Sequence, residues 1–293
     1  MSALDPSALR ASLDARIVAQ AQARGVDPNR VRRHVTFQRL LRRLAPANTW
    51  VLKGGYLLEA RLGTSARATR DLDLGAASHL DALELREGIE RCLATDVDDD
   101  GFVFRITGVR EHLTDGVDAG PGLHLSISAD LDGRPFAQVR IDVVSRPDEL
   151  DGGVETVVLP PAVRVHGWPD VKIRAVDLAQ HAAEKLHALS QMDAHPRPST
   201  RVKDLADLVL LLDCGALDER RLAERVAVVF TARDGVPPER SFPKPPEAWR
   251  TGYAEYVRLL DLPHRDLDAA FAEVSSLFDR VRAAAPTPQE DHP

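Results

Sequence analysis

The chain has 293 residues, 44% of them hydrophobic, enough to fill one large or two ordinary domains and too many for a wholly disordered polypeptide. Its formal net charge of -7 excludes a bulk polycation that coats nucleic acid or anionic lipid indiscriminately, so such binding requires a local patch. Among the 38 basic residues only Lys53, Lys172, Lys185, Lys203 and Lys244 are lysines, so each lysine departs from a strong arginine bias.

In chain order, Pro6 to Leu44 favours two helices broken at Gly25-Val26-Asp27-Pro28. Trp50-Val51-Leu52 reads as a short strand, Gly54-Gly55 as a tight turn and Tyr56 to Leu62 as a helix. Asp71-Leu72-Asp73-Leu74 alternates polar and apolar with the period of a half-buried strand. Phe102 to Val109, Leu123 to Leu131 and Phe136 to Val144 are further strands, bounded by Gly, Asp or Pro. Helices follow at Asp177 to Met192, Val202 to Leu212 (capped by Ser199 or Thr200), Asp218 to Phe230, Trp249 to Leu260 and Leu267 to Ala284. His195-Pro196-Arg197-Pro198 and Val236 to Pro246 read as surface loops.

The change from strands to helices near Pro160 to Asp170 predicts an α/β (α+β) chain with a mixed sheet. Residues 1–165 are expected to form N-terminal helices plus the sheet domain, 166–285 a helical domain, and 286–293 a disordered tail. Cys92 and Cys214 stand apart without CxxC spacing, and even Leu208 to Leu212 is far too short to span a bilayer. The expected compartment is a reducing cytoplasm, with no membrane partner.

The sharpest constellation is Lys53-Gly54-Gly55 followed by Arg67, Thr69, Asp71 and Asp73. Residues two apart on a strand share a face, so Asp71 and Asp73 present paired carboxylates that repel unless a cation lies between them. Such hard oxygen pairs suit Mg²⁺, which keeps substrate phosphate oxygens in its other positions. A glycine turn opening a helix offers backbone N–H groups to a phosphate. Asp142, on the alternating Arg140-Ile141-Asp142-Val143 segment, either completes a two-metal site or deprotonates an attacking hydroxyl, provided its strand lies beside Asp71 to Leu74.

On the first long helix of the C-terminal half, Leu178, Ala182, Lys185, Leu189 and Met192 share one face, placing an ammonium in an apolar stripe where it needs an anion or a route to water. Glu184 projects about 100° away around the helix and is expected to be exposed. His181 and His187 drift around the helix and read as ordinary helix residues. Arg201, Lys203, Asp204 and Asp207 open the next helix, where Lys203 and Asp207 at four-residue spacing form either a surface pair or part of a site. Arg32, Arg39 and Arg43 share a helix face and read either as a stripe that tracks an RNA backbone or as a solvated face. Trp249, Tyr253 and Tyr256 make an aromatic stripe of the kind that packs in a core.

These motifs together resemble the AbiEii family of nucleotidyltransferase-like toxins, which includes the mycobacterial MenT toxins. The resemblance runs from Trp50 to Leu212 through Lys53-Gly54-Gly55, Arg67-x-Thr69-x-Asp71-x-Asp73, Asp142, Glu184-Lys185-Leu186-x-Ala188 and Arg201-x-Lys203-Asp204-x-x-Asp207. It implies a nucleotidyltransferase-like mixed-sheet domain joined to a helical domain. The implied reaction moves a nucleoside monophosphate from an NTP to an RNA acceptor, the 3′ end of tRNA, blocking translation and growth. Asp71, Asp73 and Asp142 are then the metal ligands for two Mg²⁺ ions, with Lys185 and Asp207 as further catalytic residues. Lys53, Gly54, Gly55, Arg67, Lys203 and Asp204 bind nucleotide or phosphate, and a cognate antitoxin protein is the implied partner. Many members carry Ser or Thr after the second glycine, where this chain has Tyr56, so a hydroxyl contact to phosphate is missing there. Two competing readings are transfer of a nucleotidyl or phosphoryl group to a protein or small molecule, and a nucleotide-binding regulator without turnover.

Overall fold

The period-two segments assemble into one seven-stranded mixed sheet in a computed structural model that describes residues 6–114, 120–191, 201–238, 240–263 and 266–284. The expected tail, the His195 to Pro198 loop, Met192 and the Ser199 or Thr200 cap lie outside the described residues. Helices α1 (Pro6–Arg24) and α2 (Pro28–Leu44) part where expected, because Pro28 opens α2 and the Asp27 side chain caps it by accepting from the Asn29 N–H at 2.8 Å.

The strands are β1 (Trp50–Lys53), β2 (Asp71–Ala76), β3 (Phe102–Leu113), β4 (Pro121–Leu131), β5 (Arg134–Ser145), β6 (Val154–Leu159) and β7 (Val171–Val176), in the spatial order β3-β4-β5-β2-β1-β7-β6. Between them lie α3 (Gly54–Leu62), α4 (Ala82–Leu93) and the short α5 (Pro147–Leu150). The later helices are α6 (Leu178–Ser190), α7 (Val202–Asp213), α8 (Glu219–Asp234), α9 (Trp249–Leu260) and α10 (Leu267–Ala284). Among the described residues, no helix is long and apolar enough to cross a membrane.

Four elements depart from the sequence reading. Helix α4 carries a complete capping box between Asp81 and Glu84 and buries Leu85, Ile89 and Leu93 along one face. Helix α5 is a single turn. Strands β6 and β7 pair antiparallel with each other from Val154 opposite Val176 to Leu159 opposite Val171, and β7 joins the sheet beside β1. The sheet therefore continues past residue 165.

The sheet has two different faces because its strands alternate. Leu72, Leu74, Ile141 and Val143 point into a core shared with α1, α2 and α4, whereas Asp71, Asp73, Arg140 and Asp142 occupy the opposite face, toward α6 and α7. A second core, built on Leu186, Leu205, Val226 and Phe278, holds α6, α7, α8 and α10 together. Trp249 and Tyr253 are buried in it, the role expected of their stripe.

Candidate active site

Register places four chemistry-bearing residues in one row across the sheet. Lys53 on β1 lies opposite Asp73 on β2, Asp73 opposite Asp142 on β5, and Asp142 opposite His124 on β4. Asp142 thus stands beside the Asp71 to Leu74 strand, the condition for it to complete a two-metal site or to deprotonate an attacking hydroxyl. His124 Nδ1 lies 2.6 Å from Asp142 Oδ1, and its ring stacks on His112 of β3 with centroids 4.3 Å apart.

Asp73 is the electrostatic centre. Burial first, and then the charge of Asp142, push its carboxyl up to about 6, with Lys53 and Lys203 pulling the other way and Asp71 adding a smaller repulsion. Gly54 is in the left-handed region at φ +67°, and a Cβ there would fall 1.8 Å from Asp73 Oδ2, so only glycine lets the turn close over this carboxylate. The Gly55 N–H, at the start of α3, donates to the same Oδ2 at 3.3 Å.

The donor set fits a divalent cation held by two carboxylates. Asp73 and Asp142 oppose each other, and a cation between them would relieve the repulsion that raises Asp73. Arg140, opposite Asp71 in register, donates to the Asp71 Oδ1 at 2.7 Å. Among the described residues no group of three or more His, Cys, Asp and Glu side chains is placed to hold a metal ion, and Asp73 and Asp142 are the two carboxylates that oppose each other in register.

Asp73, Asp142 and His124 line a cleft of about 780 Å³, with Lys53, Arg146, Arg201 and Arg233 in its walls. A buried carboxylate behind the wall organises three of these cations. Glu149, 1% exposed, lies 3.7 Å from Lys53 Nζ, 3.5 Å from Arg146 and 2.5 Å from Arg233. Burial opposes its ionisation, but Arg233, Lys53 and Arg146 together hold its carboxyl well below the ordinary glutamate value. Glu184, expected to be exposed, instead reaches Lys53 Nζ at 2.9 Å with 11% of its side chain accessible. The reason is that α6 brings Glu184 to the Lys53 end of β1, a tertiary contact that helical periodicity does not report.

Lys185 meets its anion within the helical unit. Its ammonium donates to Asp207 Oδ2 at 2.7 Å and to Asp204 Oδ1 at 3.1 Å, and Arg67 grips the same Asp207 carboxylate through Nε and Nη2 at 3.1 to 3.2 Å. Burial disfavours each charge, yet Asp207 and Asp204 hold Lys185 above the ordinary lysine value, while Lys185 and Arg67 hold Asp207 below the ordinary aspartate value. Asp207 is therefore not the surface partner of Lys203, which instead lies near enough to Asp73 to favour its anion. The network abuts the turn. A Cβ on Gly55 would meet Thr69 Oγ1 at 2.9 Å and Arg67 Nη2 at 3.1 Å, so Arg67 links the α6–α7 ion network to the Gly54-Gly55 segment.

Burial decides the role of two further sequence features. Tyr56 turns its ring away from the glycine segment and packs edge-on against Phe37 and His34 of α2. The position after Gly55 points into the core, so a hydroxyl there has no path to the cleft. The Arg32, Arg39 and Arg43 stripe is no RNA track either. Arg39 and Arg43 are 2% exposed and are neutralised by Asp98 and Asp100 from the loop after α4, with Arg39 also over the Trp168 ring and Arg43 over Phe104. Arg32 pairs with Asp14 and lies over Phe136. The acids that neutralise Arg39 and Arg43 lie more than fifty residues away in sequence, where a local charge count does not register them.

His112, His124, Arg140, Arg146, Glu149 and Arg233 are site residues that sequence reading passed over. A signal existed for His124 alone: it occupies the polar phase of the Leu123 to Leu131 alternation, and only the β4–β5 register places it beside Asp142.

The family model described as the nucleotidyl transferase AbiEii toxin of type IV toxin–antitoxin systems matches residues 38–276. No curated protein matches the chain. Among solved structures, similarity extends to MenT4, a nucleotidyltransferase toxin of Mycobacterium tuberculosis H37Rv, at 21% identity and a TM-score of 0.47 over 94% of this chain and 97% of that one. A nucleotidyltransferase candidate of H. pylori aligns at 14% identity and a TM-score of 0.40, over 85% and 93% of the two chains. An antigenic nucleotidyltransferase-like protein of Paracoccidioides brasiliensis aligns at 14% and 0.39, over 83% and 93%.

Proposed function

The chain belongs to the AbiEii nucleotidyltransferase toxin family of type IV toxin–antitoxin systems, and from that membership we propose that it transfers a nucleoside monophosphate from an NTP to an RNA, with the 3′ end of tRNA as acceptor. The observation that carries this reading is the Lys53–Asp73–Asp142–His124 row on the floor of a cation-walled cleft, with Gly54 closed over Asp73. A cleft of about 780 Å³ suits a nucleotide, and its ammonium and guanidinium groups match a triphosphate in charge.

In this scheme Lys53, Arg233 and the N–H groups opening α3 hold the triphosphate, with the two cations kept together by Glu149. Asp73 and Asp142 would hold Mg²⁺, which when bound supplies positive charge at the reacting phosphate. The acceptor hydroxyl oxygen forms a bond to the α-phosphorus, the bond from that phosphorus to the bridging oxygen of the β-phosphate breaks, and pyrophosphate leaves with the electron pair. Asp142 receives the hydroxyl proton, with its Oδ1 fixed by His124. Lys185, Asp204, Asp207 and Arg67 act at one remove by bracing the glycine segment, and Lys203 favours the Asp73 anion.

We place the two structural units on either side of Asp177, which caps α6 directly after β7, rather than at residue 165. The setting that fits this activity is the cytoplasm, where loss of competent tRNA halts translation and growth. The toxin–antitoxin family supports a cognate antitoxin as the neutralising partner.

The test incubates the purified protein with Mg²⁺, each α-labelled NTP in turn, and total tRNA or total protein as acceptor pools, beside an Asp73→Ala control. Label in RNA that depends on Asp73 is the expected result. Absence of labelled RNA with all four nucleotides, equal labelling by the variant, or label confined to protein would overturn the reading.

A further inference from the structure

We infer that the stacked His112–His124 pair is the acceptor subsite, where the terminal base of the incoming RNA stacks while its hydroxyl reaches the phosphate. The inference rests on the transferase reading above and adds to it a direction of approach.

The row has a polarity. With strands about 4.8 Å apart, Lys53 and His124 stand about 14 Å from each other, with the Asp73–Asp142 pair between them. The phosphate-holding features, Lys53, Gly54 and the start of α3, all lie at the β1 end. In phosphoryl transfer the attacking and leaving oxygens are roughly in line through phosphorus. A pyrophosphate leaving at the β1 end therefore requires a nucleophile arriving from the β4 end, where the ring pair stands.

That end is built for a nucleotide terminus. The two imidazoles lie 4.3 Å apart at 15°, nearly parallel. Gly122, opposite His112 in register, makes this possible: a Cβ there would fall 2.4 Å from His112 Nε2, so the ring lies over bare backbone. Unpaired RNA ends offer splayed bases that stack on aromatic and histidine rings. A cation for the adjoining phosphate is at hand, because Arg146 Nε donates at 2.9 Å to Thr114 Oγ1, two residues beyond His112, and both residues line the same cleft. A ring pair beside a guanidinium matches the base and phosphate of one nucleotide.

The experiment compares wild type, His112→Ala and His112→Phe. The first measurement is fluorescence of an oligoribonucleotide whose 3′-terminal base is 2-aminopurine, which stacking quenches. The second is steady-state transfer with tRNA and the preferred NTP, giving a separate KM for each substrate. Expected are quenching by wild type, its loss in His112→Ala together with about a tenfold rise in KM for RNA at unchanged KM for NTP, and recovery of both readouts in His112→Phe. The inference is overturned if wild type gives no quenching, if His112→Ala keeps the wild-type KM for RNA, if the KM for NTP rises instead, or if His112→Phe behaves like His112→Ala. Failure of the transferase reading is distinct from these: there, wild type itself labels no RNA with any nucleotide, and both conclusions fall.

Discussion

Replacing Asp73 by Asn should abolish transfer and at the same time make the metal-free protein more stable. Asn keeps the shape of the side chain, and its Oδ1 can still accept from the Gly55 N–H that now donates to Asp73 at 3.3 Å. What disappears is a negative charge that burial and the neighbouring Asp142 disfavour, a cost visible in the rise of the carboxyl from 3.8 to about 6. At about 1.4 kcal/mol per pH unit the rise corresponds to about 3 kcal/mol, which partial solvent access lowers to about 2 kcal/mol. A carboxyl whose folded value exceeds its unfolded one stabilises the fold below the unfolded value, and that contribution is lost as pH rises toward 6. The variant's advantage should therefore be small at pH 4.5 and complete at pH 7.5. At about 2 °C per kcal/mol for a chain of this length, the expected rise in Tm at pH 7.5 is about 4 °C. Thermal unfolding in a chelator at the two pH values is the assay, with Mg²⁺ added in a third arm, where only wild type should gain stability. Equal or lower stability of the variant at pH 7.5, or an identical gain at both values, would refute the reasoning.

Gly54→Ala puts a Cβ within 1.8 Å of Asp73 Oδ2 on a backbone at φ +67°, so kcat should fall at least about 100-fold, as measured by initial transfer rates. Asp207→Asn leaves Lys185 and Arg67 buried without their shared counter-charge and should lower stability by about 3–5 kcal/mol in urea unfolding. Because Asp207 is held below and Lys185 above its ordinary value, the wild-type contribution should stay constant through the neutral range, falling only in strong acid or strong base. Arg39→Glu faces Asp98 and Asp100 with a third carboxylate, so it should lower the unfolding free energy by about 3–5 kcal/mol while the folded fraction keeps wild-type RNA affinity in a gel-shift titration. Tyr56→Ser should leave NTP affinity unimproved in equilibrium binding and cost about 3–5 kcal/mol, because the side chain occupies the core under α2.

By itself the sequence determined most of the helices, the central strands and the common face of Asp71 and Asp73. Alternation in Asp71-Leu72-Asp73-Leu74 decides which residues share a face, Gly54-Gly55 marks a tight turn between strand and helix, and a lysine within an apolar helix stripe has to find an anion or a route to water. These are short-range properties, set by bond geometry and by the cost of burying charge. Only the tertiary structure decided the partners. It put His124 beside Asp142, gave Lys185 to Asp204 and Asp207, turned Glu184 toward Lys53, tied Asp71 to Arg140, and buried Arg39 and Arg43 against Asp98 and Asp100. Each of these choices depends on strand register or on how one helix lies against the sheet, and a one-residue slip in register would send a whole strand's side chains to the other face. The charges along the chain are local, but which opposite charge neutralises each one is settled by packing between segments tens of residues apart, and that packing separates the cations left in the cleft walls from those sealed inside the fold.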